Sequence, residues 1–406
     1  MRQPWPELDP LLAAASERFG TPAYLYSADR IEARLARLGI DFGRWFKLSY
    51  AMKANPNPVL LRWLLGRVPM LDVSSLGEVR LALANGWSAA DLSFTGPAKR
   101  EAEIAEAIAA GIGDIVLESL DEADLANRLA IAAGVQQRVL VRLAPDRVPK
   151  GFGDQMAGRC SPFGIDVEVA EAALRHIAAL PGLRISGLHI YSGTQSLRPD
   201  AIAENWRIFI ACFQQFCVAL DMTPERLVFG SGLGIPYHAG DTHLDTAAVS
   251  AAISPDLDAL RADPRFGATE LVLELGRHLV GEAGVFLTRV VRTKTSRGSR
   301  IALCDGGLNA HLAATGQFGM VLRRNYMLHR VGGGEPTEVV NLHGPLCTSI
   351  DKLATGAMLP PIAEGDVIAI HASGAYGASA SPAGFISHPA PREIWAEHGH
   401  LSDITR

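Results

Sequence analysis

Within the α/β class, the sequence predicts a (β/α)8 TIM-like barrel followed by a C-terminal antiparallel β domain. Three observations predict it. Apolar runs recur at the spacing of one strand–helix unit, a residue at or just past the end of each run is of a kind that chemistry uses, and beyond about residue 286 the helical texture stops. The runs cover residues 48–52, 70–73, 92–94, 115–117, 139–143, 185–190, 227–229 and 271–273, eight in all. They are apolar without strict alternation, as strands covered on both faces are. A doubly wound open sheet is the competing architecture, because a run as short as 92–94 is a weak signal.

Taken in order, the elements divide the chain into three parts. Residues 1–35 hold a helical stretch (11–18), a short extended piece (23–26) and the start of an Arg-rich helix (29–38). This part is expected to lend its extended piece to the later β domain. Residues 36–285 carry the strand–helix rhythm, and 286–406 form the β domain, with short strands at 290–293, 300–304, 338–342 and 366–370 joined by Gly/Pro turns. The Pro/Gly-rich stretch 146–161 reads as an exposed loop.

A barrel places its chemistry just past the strand ends. At or just past the ends of the runs stand Lys53, Asp72, Thr95-Gly96, Glu118, Arg142, His189, Gly230-Ser231-Gly232 and Glu274. Each has an ordinary explanation when taken alone. Lys53 ends an apolar run stopped by Asn55-Pro56, where a lysine is usually solvated, although a desolvated amine there would be a nucleophile. The glycine triplet is a tight turn or a backbone cradle for an anion. Glu274 with Arg277 reads as a structural ion pair, or as an acid for a ring nitrogen beside a guanidinium for a phosphate. His189 is a satisfied core histidine or a site residue. Cys347 lies in a Gly/Pro turn, where an exposed thiolate and an inert buried thiol are both open.

Composition narrows the class. The chain has 406 residues, 48% of them hydrophobic, and a formal net charge of -5. No basic stripe points to nucleic acid or an anionic membrane surface. The start, Met1 to Glu7, lacks a signal-peptide core, and no stretch is long and apolar enough to span a bilayer. The five cysteines show no Cys-x-x-Cys spacing, so reduced thiols in a cytoplasmic protein are expected, and no metal site is.

Several motifs, read together, resemble one family. Tyr50-Ala51-Met52-Lys53-Ala54-Asn55, Asp72-Val73-Ser74-Ser75-Leu76-Gly77-Glu78, His189-Ile190-Tyr191-Ser192-Gly193, Gly230-Ser231-Gly232, Glu274-Leu275-Gly276-Arg277, Gly344-Pro345-Leu346-Cys347 and Gly374-Ala375-Tyr376 are similar to those of the alanine-racemase-fold pyridoxal-phosphate decarboxylases, such as diaminopimelate and ornithine decarboxylases. The resemblance runs from about residue 20 to the C-terminus. It implies pyridoxal 5'-phosphate as cofactor and decarboxylation of an L-amino acid, free or carrier-linked. It implies that Lys53 holds the cofactor as an imine, that His189 stacks on its ring and that Glu274 pairs with the ring nitrogen. Ser192, Gly232, Arg277 and Tyr376 are then phosphate residues, Gly230, Ser231 and Gly276 are further cofactor-binding residues, and Asp72, Glu78 and Arg142 are polar residues around the cofactor. Cys347 resembles the cysteine contributed by a partner subunit, which implies a homodimer with shared active sites and Cys347 or Lys53 as the proton donor.

Three departures bear on the substrate. Thr348 and Ala313 stand where diaminopimelate decarboxylases carry an acid for the far amine and an arginine for the far carboxylate. Leu275 replaces a proline. Losing both counter-charges argues against free diaminopimelate. Thr348, Asp351 and Arg323 are expected at the substrate. The segment 311–319 with Arg323-Arg324-Asn325-Tyr326 resembles a side branch acting in secondary metabolism or on an amino acid tethered to an acyl carrier protein, for which the arginines are a docking site or an ordinary solvated pair. The rivals are diaminopimelate decarboxylase itself, an amino-acid racemase on the same fold, and an inactive cofactor-binding regulatory homologue.

Overall fold

The computed structural model describes residues 5–318 and 323–406. Met1 to Pro4 and Gly319, both used above, lie outside the described residues. The chain forms two compact units: residues 37–234 with 244–276, and residues 1–36 with 235–243 and 277–406.

The first unit is the barrel. Its strands are β1 (Phe46–Ala51), β2 (Met70–Val73), β3 (Leu92–Phe94), β4 (Asp114–Leu117), β5 (Gln137–Ala144), β6 (Leu183–Ile190), β7 (Arg226–Gly230) and β8 (Glu270–Leu275). They pair in parallel in the order β4-β3-β2-β1-β8-β7-β6-β5, and β5 pairs with β4 to close the ring. Closure removes the open-sheet alternative, and even the three-residue β3 is a true strand, paired on both sides. Met70, Val116, Leu140, Val228 and Val272 form an apolar cluster contributed by five of the strands. Outside the ring, Trp206 of the helix Pro199–Ala219 meets Phe46 and Phe229 edge-on, at centroid distances of 5.4 and 6.3 Å. The same indole donates to the carbonyl of Ser231 at 3.2 Å, which ties the glycine turn after β7 to a rigid helix.

At the opposite end of the strands, Asp114 is fully buried and accepts from Ser186 at 2.6 Å, with Arg138 and Arg226 beside it. That end carries a structural charge network. The stretch expected as a loop at 146–161 is largely exposed but not unpaired. Asp154–Gln155 forms a short ladder with Gly193–Thr194, so it is fastened to the end of β6.

The second unit is a mixed sheet rather than a purely antiparallel one. Ala23–Ser27 lies inside it, antiparallel to Gly284–Ser296 and parallel to Arg392–Glu397. Ser299–Cys304 also runs parallel to Glu338–His343. The helix Asp9–Phe19 covers one face through Leu12 and Ala15, against Leu25, Val285, Leu287 and Ile394. Strands at Leu328–Arg330, Lys352–Leu359 and His400–Asp403 had no clear apolar run to announce them.

Candidate active site

All eight barrel strands run the same way, so their C-terminal ends share one rim. Lys53 sits there in a single 3₁₀ turn, Met52–Ala54, directly after β1. The turn is braced on its far side. Tyr50 donates its hydroxyl to the carbonyl of Asn55 at 3.0 Å, and Asn55 accepts from the amide of Asn57 at 3.1 Å. Asn57 then caps the next helix through the amide of Val59. The Lys53 amine lies 5.5 Å from the centre of the Tyr191 ring, a neighbour the sequence quoted in a motif without giving it a task.

Two buried carboxylates flank this amine and are driven apart. Burial pushes Asp72 well above the usual carboxylate range, and the nearby charge of Glu274 pushes it further, against the opposing pull of Lys53 and of the Thr95 hydroxyl that donates to Asp72 Oδ1. Glu274 is also buried, which raises it, yet it ends below its ordinary value. The His189 hydrogen bond and the positive groups at His189, Lys53 and Arg142 outweigh that burial. His189 Nε2 lies 3.0 Å from Glu274 Oε2, so the ring donates to the carboxylate. The two acids are therefore shifted in opposite directions within one site, Asp72 upward and Glu274 downward.

The remaining rim residues divide between framework and site. Arg142 donates to Glu118 at 3.0 Å and to the carbonyl of Tyr191 at 3.2 Å, while Glu118 also accepts the amides of Gly96 and Gly164. This buried pair ties the ends of four strands, β3 to β6, together. Ser192 donates to Asn205 at 2.8 Å and is buried. In the glycine turn, the amide of Ser231 is engaged by the carbonyl of Glu274 at 2.9 Å. Gly232 adopts a left-handed backbone with φ +70°, and a Cβ there would come within 2.7 Å of Phe152. A Cβ on Gly230 would collide with Tyr191, and one on Gly276 would lie 2.8 Å from Ala54 Cβ. Gly276 is small because the exit of β8 packs on the lysine turn.

Arg277, Tyr376, Cys347, Thr348, Asp351 and Arg323 belong to the second unit. Arg277 donates to the Tyr237 hydroxyl at 2.7 Å, and its guanidinium carbon lies 4.9 Å from the Tyr376 ring centre. Cys347 is exposed and Thr348 half-buried. Asp351 is buried, and its two oxygens accept the amides of Leu308 at 2.6 Å and Leu346 at 2.7 Å. With an amide on each oxygen, Asp351 staples two loops. Arg323 donates to the carbonyl of Lys352, and Arg324 pairs with Asp241 at 2.9 Å; both are exposed.

The strand-end residues of the first unit suit a planar, polar, anionic-tailed cofactor such as the expected pyridoxal phosphate. Asp72 Oδ2 and His189 Nδ1 are buried on the barrel with no hydrogen-bond partner among the described residues. Such atoms are costly unless a ligand or water meets them. An amine, an anionic carboxylate and a left-handed glycine lie at the same strand ends. No cluster of three or more metal-ligating side chains occurs among the described residues.

Comparison with known proteins agrees. Residues 28–281 match the family model described as pyridoxal-dependent decarboxylase, pyridoxal binding domain. Over 407 aligned residues the chain is 33% identical to the L-glutamyl-(BtrI acyl-carrier protein) decarboxylase of Niallia circulans, covering 97% of this chain and 93% of that protein. It is 33% identical to the diaminopimelate decarboxylase of Deinococcus radiodurans, over 95% of this chain and 93% of the relative. The crystal structure of diaminopimelate decarboxylase from Helicobacter pylori complexed with L-lysine superposes with a TM-score of 0.85 at 25% identity, covering 97% of this chain and 96% of that one.

Proposed function

Because the chain belongs to the pyridoxal-dependent decarboxylase family, we propose that it removes the α-carboxyl group of an L-glutamate carried on an acyl-carrier protein. It is a pyridoxal-phosphate-dependent carboxy-lyase acting on an amino acid. The carrier-linked substrate is supported by the similarity to the Niallia circulans enzyme along nearly the whole chain. It is also supported by Thr348 and Ala313, neutral residues where an acid and an arginine would serve a charged far end. An α-carboxyl that must leave has to be free, so the tether has to run through the side-chain carboxyl, and a thioester there carries no charge to be countered.

The observation that carries the decarboxylase reading is the buried Glu274, held anionic by His189. When bound, pyridoxal phosphate supplies an aldehyde for an amine and a ring that takes up the electron pair left by carbon dioxide. Lys53 would hold it through Nζ. Glu274 would keep a proton at the ring nitrogen, which favours decarboxylation over the racemase alternative, and His189, fixed by Glu274, would brace the ring. Gly232 and Arg277, with Tyr376 over the guanidinium, would take the phosphate. Cys347, exposed at a loop, would return a proton from Sγ to the α-carbon from a second copy of the chain, as a homodimer.

Two measurements test this. Borohydride reduction followed by peptide mapping is expected to label Lys53, and a label elsewhere overturns its role. Carbon dioxide release is expected from carrier-loaded glutamate well above that from free glutamate, lysine, ornithine or meso-diaminopimelate. Rapid turnover of free meso-diaminopimelate would show the diaminopimelate reading to be the right one.

A further inference from the structure

His189 and Tyr191 stand close together at the end of β6, yet their surroundings differ. His189 is 1% exposed, and its Nε2 is committed to Glu274 at 3.0 Å. It lies within the strand, in register with Val228 of β7 and Arg142 of β5. A ring so enclosed has no open face to offer. Tyr191 follows the last strand residue, Ile190, and so lies about 6 Å nearer the rim by the rise of an extended chain. It is half-buried rather than enclosed.

The position of Tyr191 is set by both of its neighbouring strands. Arg142 of β5 donates to its carbonyl at 3.2 Å, which fixes the backbone. Its ring lies against Gly230 at the end of β7, where a Cβ would come within 2.3 Å of the ring carbon Cδ2. Glycine at 230 therefore admits the ring, and an aromatic side chain packed on backbone keeps one orientation. The ring is turned to the amine of the rim: Lys53 Nζ lies over it, 5.5 Å from its centre.

We infer that Tyr191, rather than His189, is the platform against whose face the pyridine ring of the cofactor lies. This rests on the reading of Lys53 as the residue that holds the cofactor. An imine joins that ring to Nζ through a single carbon, so the ring is brought to whichever aromatic face the amine overlies. His189 then braces the ring only through Glu274, at the ring nitrogen. The exit of β6 thus supplies two supports with separate tasks.

The test measures equilibrium binding of pyridoxal phosphate to the apoprotein by absorbance, in the parent and in a Lys53→Ala background. Tyr191→Leu removes the aromatic face, and Tyr191→Phe keeps it. Tyr191→Leu is expected to weaken binding about tenfold in both backgrounds, the upper scale of one aromatic pair. It is also expected to move the absorbance band of the bound cofactor. Tyr191→Phe is expected to stay within about twofold of the parent, with the band unmoved. Unphosphorylated pyridoxal is expected to lose as much as pyridoxal phosphate, since both carry the stacked ring. An effect of Tyr191→Leu that disappears in the Lys53→Ala background would mean that Tyr191 serves only the lysine. Equal losses in the Phe and Leu variants would assign the effect to the hydroxyl. No loss in either would return the face of the ring to His189. Each of these outcomes overturns the inference. Urea midpoints are read alongside, and Tyr191→Met takes the place of the Leu variant if the latter's midpoint falls. Borohydride labelling of the parent away from Lys53 would instead fail the reading of Lys53, a result separate from the affinities.

Discussion

Asp72 and Glu274 are the same chemistry in one barrel, separated only by what surrounds each. Burial is the largest influence on Asp72 and raises it; Glu274 has His189 at 3.0 Å, and that hydrogen bond with the nearby positive charges lowers it. Asp72 carries a raised folded-state value, so its contribution to stability is fully present below the unfolded value near 3.8 and is lost as pH rises toward the folded one. Asp72→Asn is expected to flatten that fall, read as the urea midpoint against pH for the variant and the parent. The same steepness in both would remove Asp72 as its source. Glu274 has the opposite sign: its contribution is present above the unfolded value near 4.5 and is lost as pH falls through the lowered folded one. Glu274→Gln keeps the shape and deletes the anion. Turnover is expected to drop by roughly a hundredfold or more, the usual scale for a group that positions a proton in the reaction, while the cofactor still binds.

At the scale of elements, the site depends on close approaches that only glycine permits. A Cβ on Gly187 in β6 would run into the backbone carbonyl of Arg226 in β7, and backbone cannot swing aside as a side chain can. Gly187→Ala is expected to cost at least about 1–3 kcal/mol, measured by denaturant unfolding, by prising apart two neighbouring strands. The Glu118–Arg142 pair behaves as one unit: Glu118→Ala leaves a buried guanidinium without its carboxylate, at roughly 3–5 kcal/mol. A Glu118→Ala protein as stable as the parent would show that the pair is not the tie between strand ends described here. These strand tips were legible in the sequence because a parallel barrel repeats one rule eight times. The strand Lys352–Leu359 was not, because its burial alternates irregularly about a bulge and Gly356 interrupts it.

For the whole molecule, the chain passes between its two units at residues 36–37, 234–235, 243–244 and 276–277. The first strand of the chain therefore serves a sheet built mostly from its last third. Ala23–Ser27 lies between Gly284–Ser296 and Arg392–Glu397, with Tyr24 donating to the carbonyl of Ala310 at 2.6 Å and Tyr26 to Glu393 at 3.0 Å. Removing residues 1–27 is expected to open that sheet and make 284–406 the first part cut by a protease, while a barrel fragment survives. Equal resistance of both parts would show that the strand adds little. Among the described residues no helix is long and apolar enough to cross a membrane.

The sequence by itself determined the eight-fold alternation, the residue type at each strand tip and the family those motifs belong to. All of these are local patterns, repeated with enough regularity to be read without coordinates. Only the tertiary structure decided that two like carboxylates are shifted in opposite directions, that Asp351 accepts two backbone amides, and that Tyr237 meets Arg277 across forty residues of chain. Ionisation and hydrogen-bond partnership depend on burial and on neighbours distant in sequence, and no pattern within a short window carries that information.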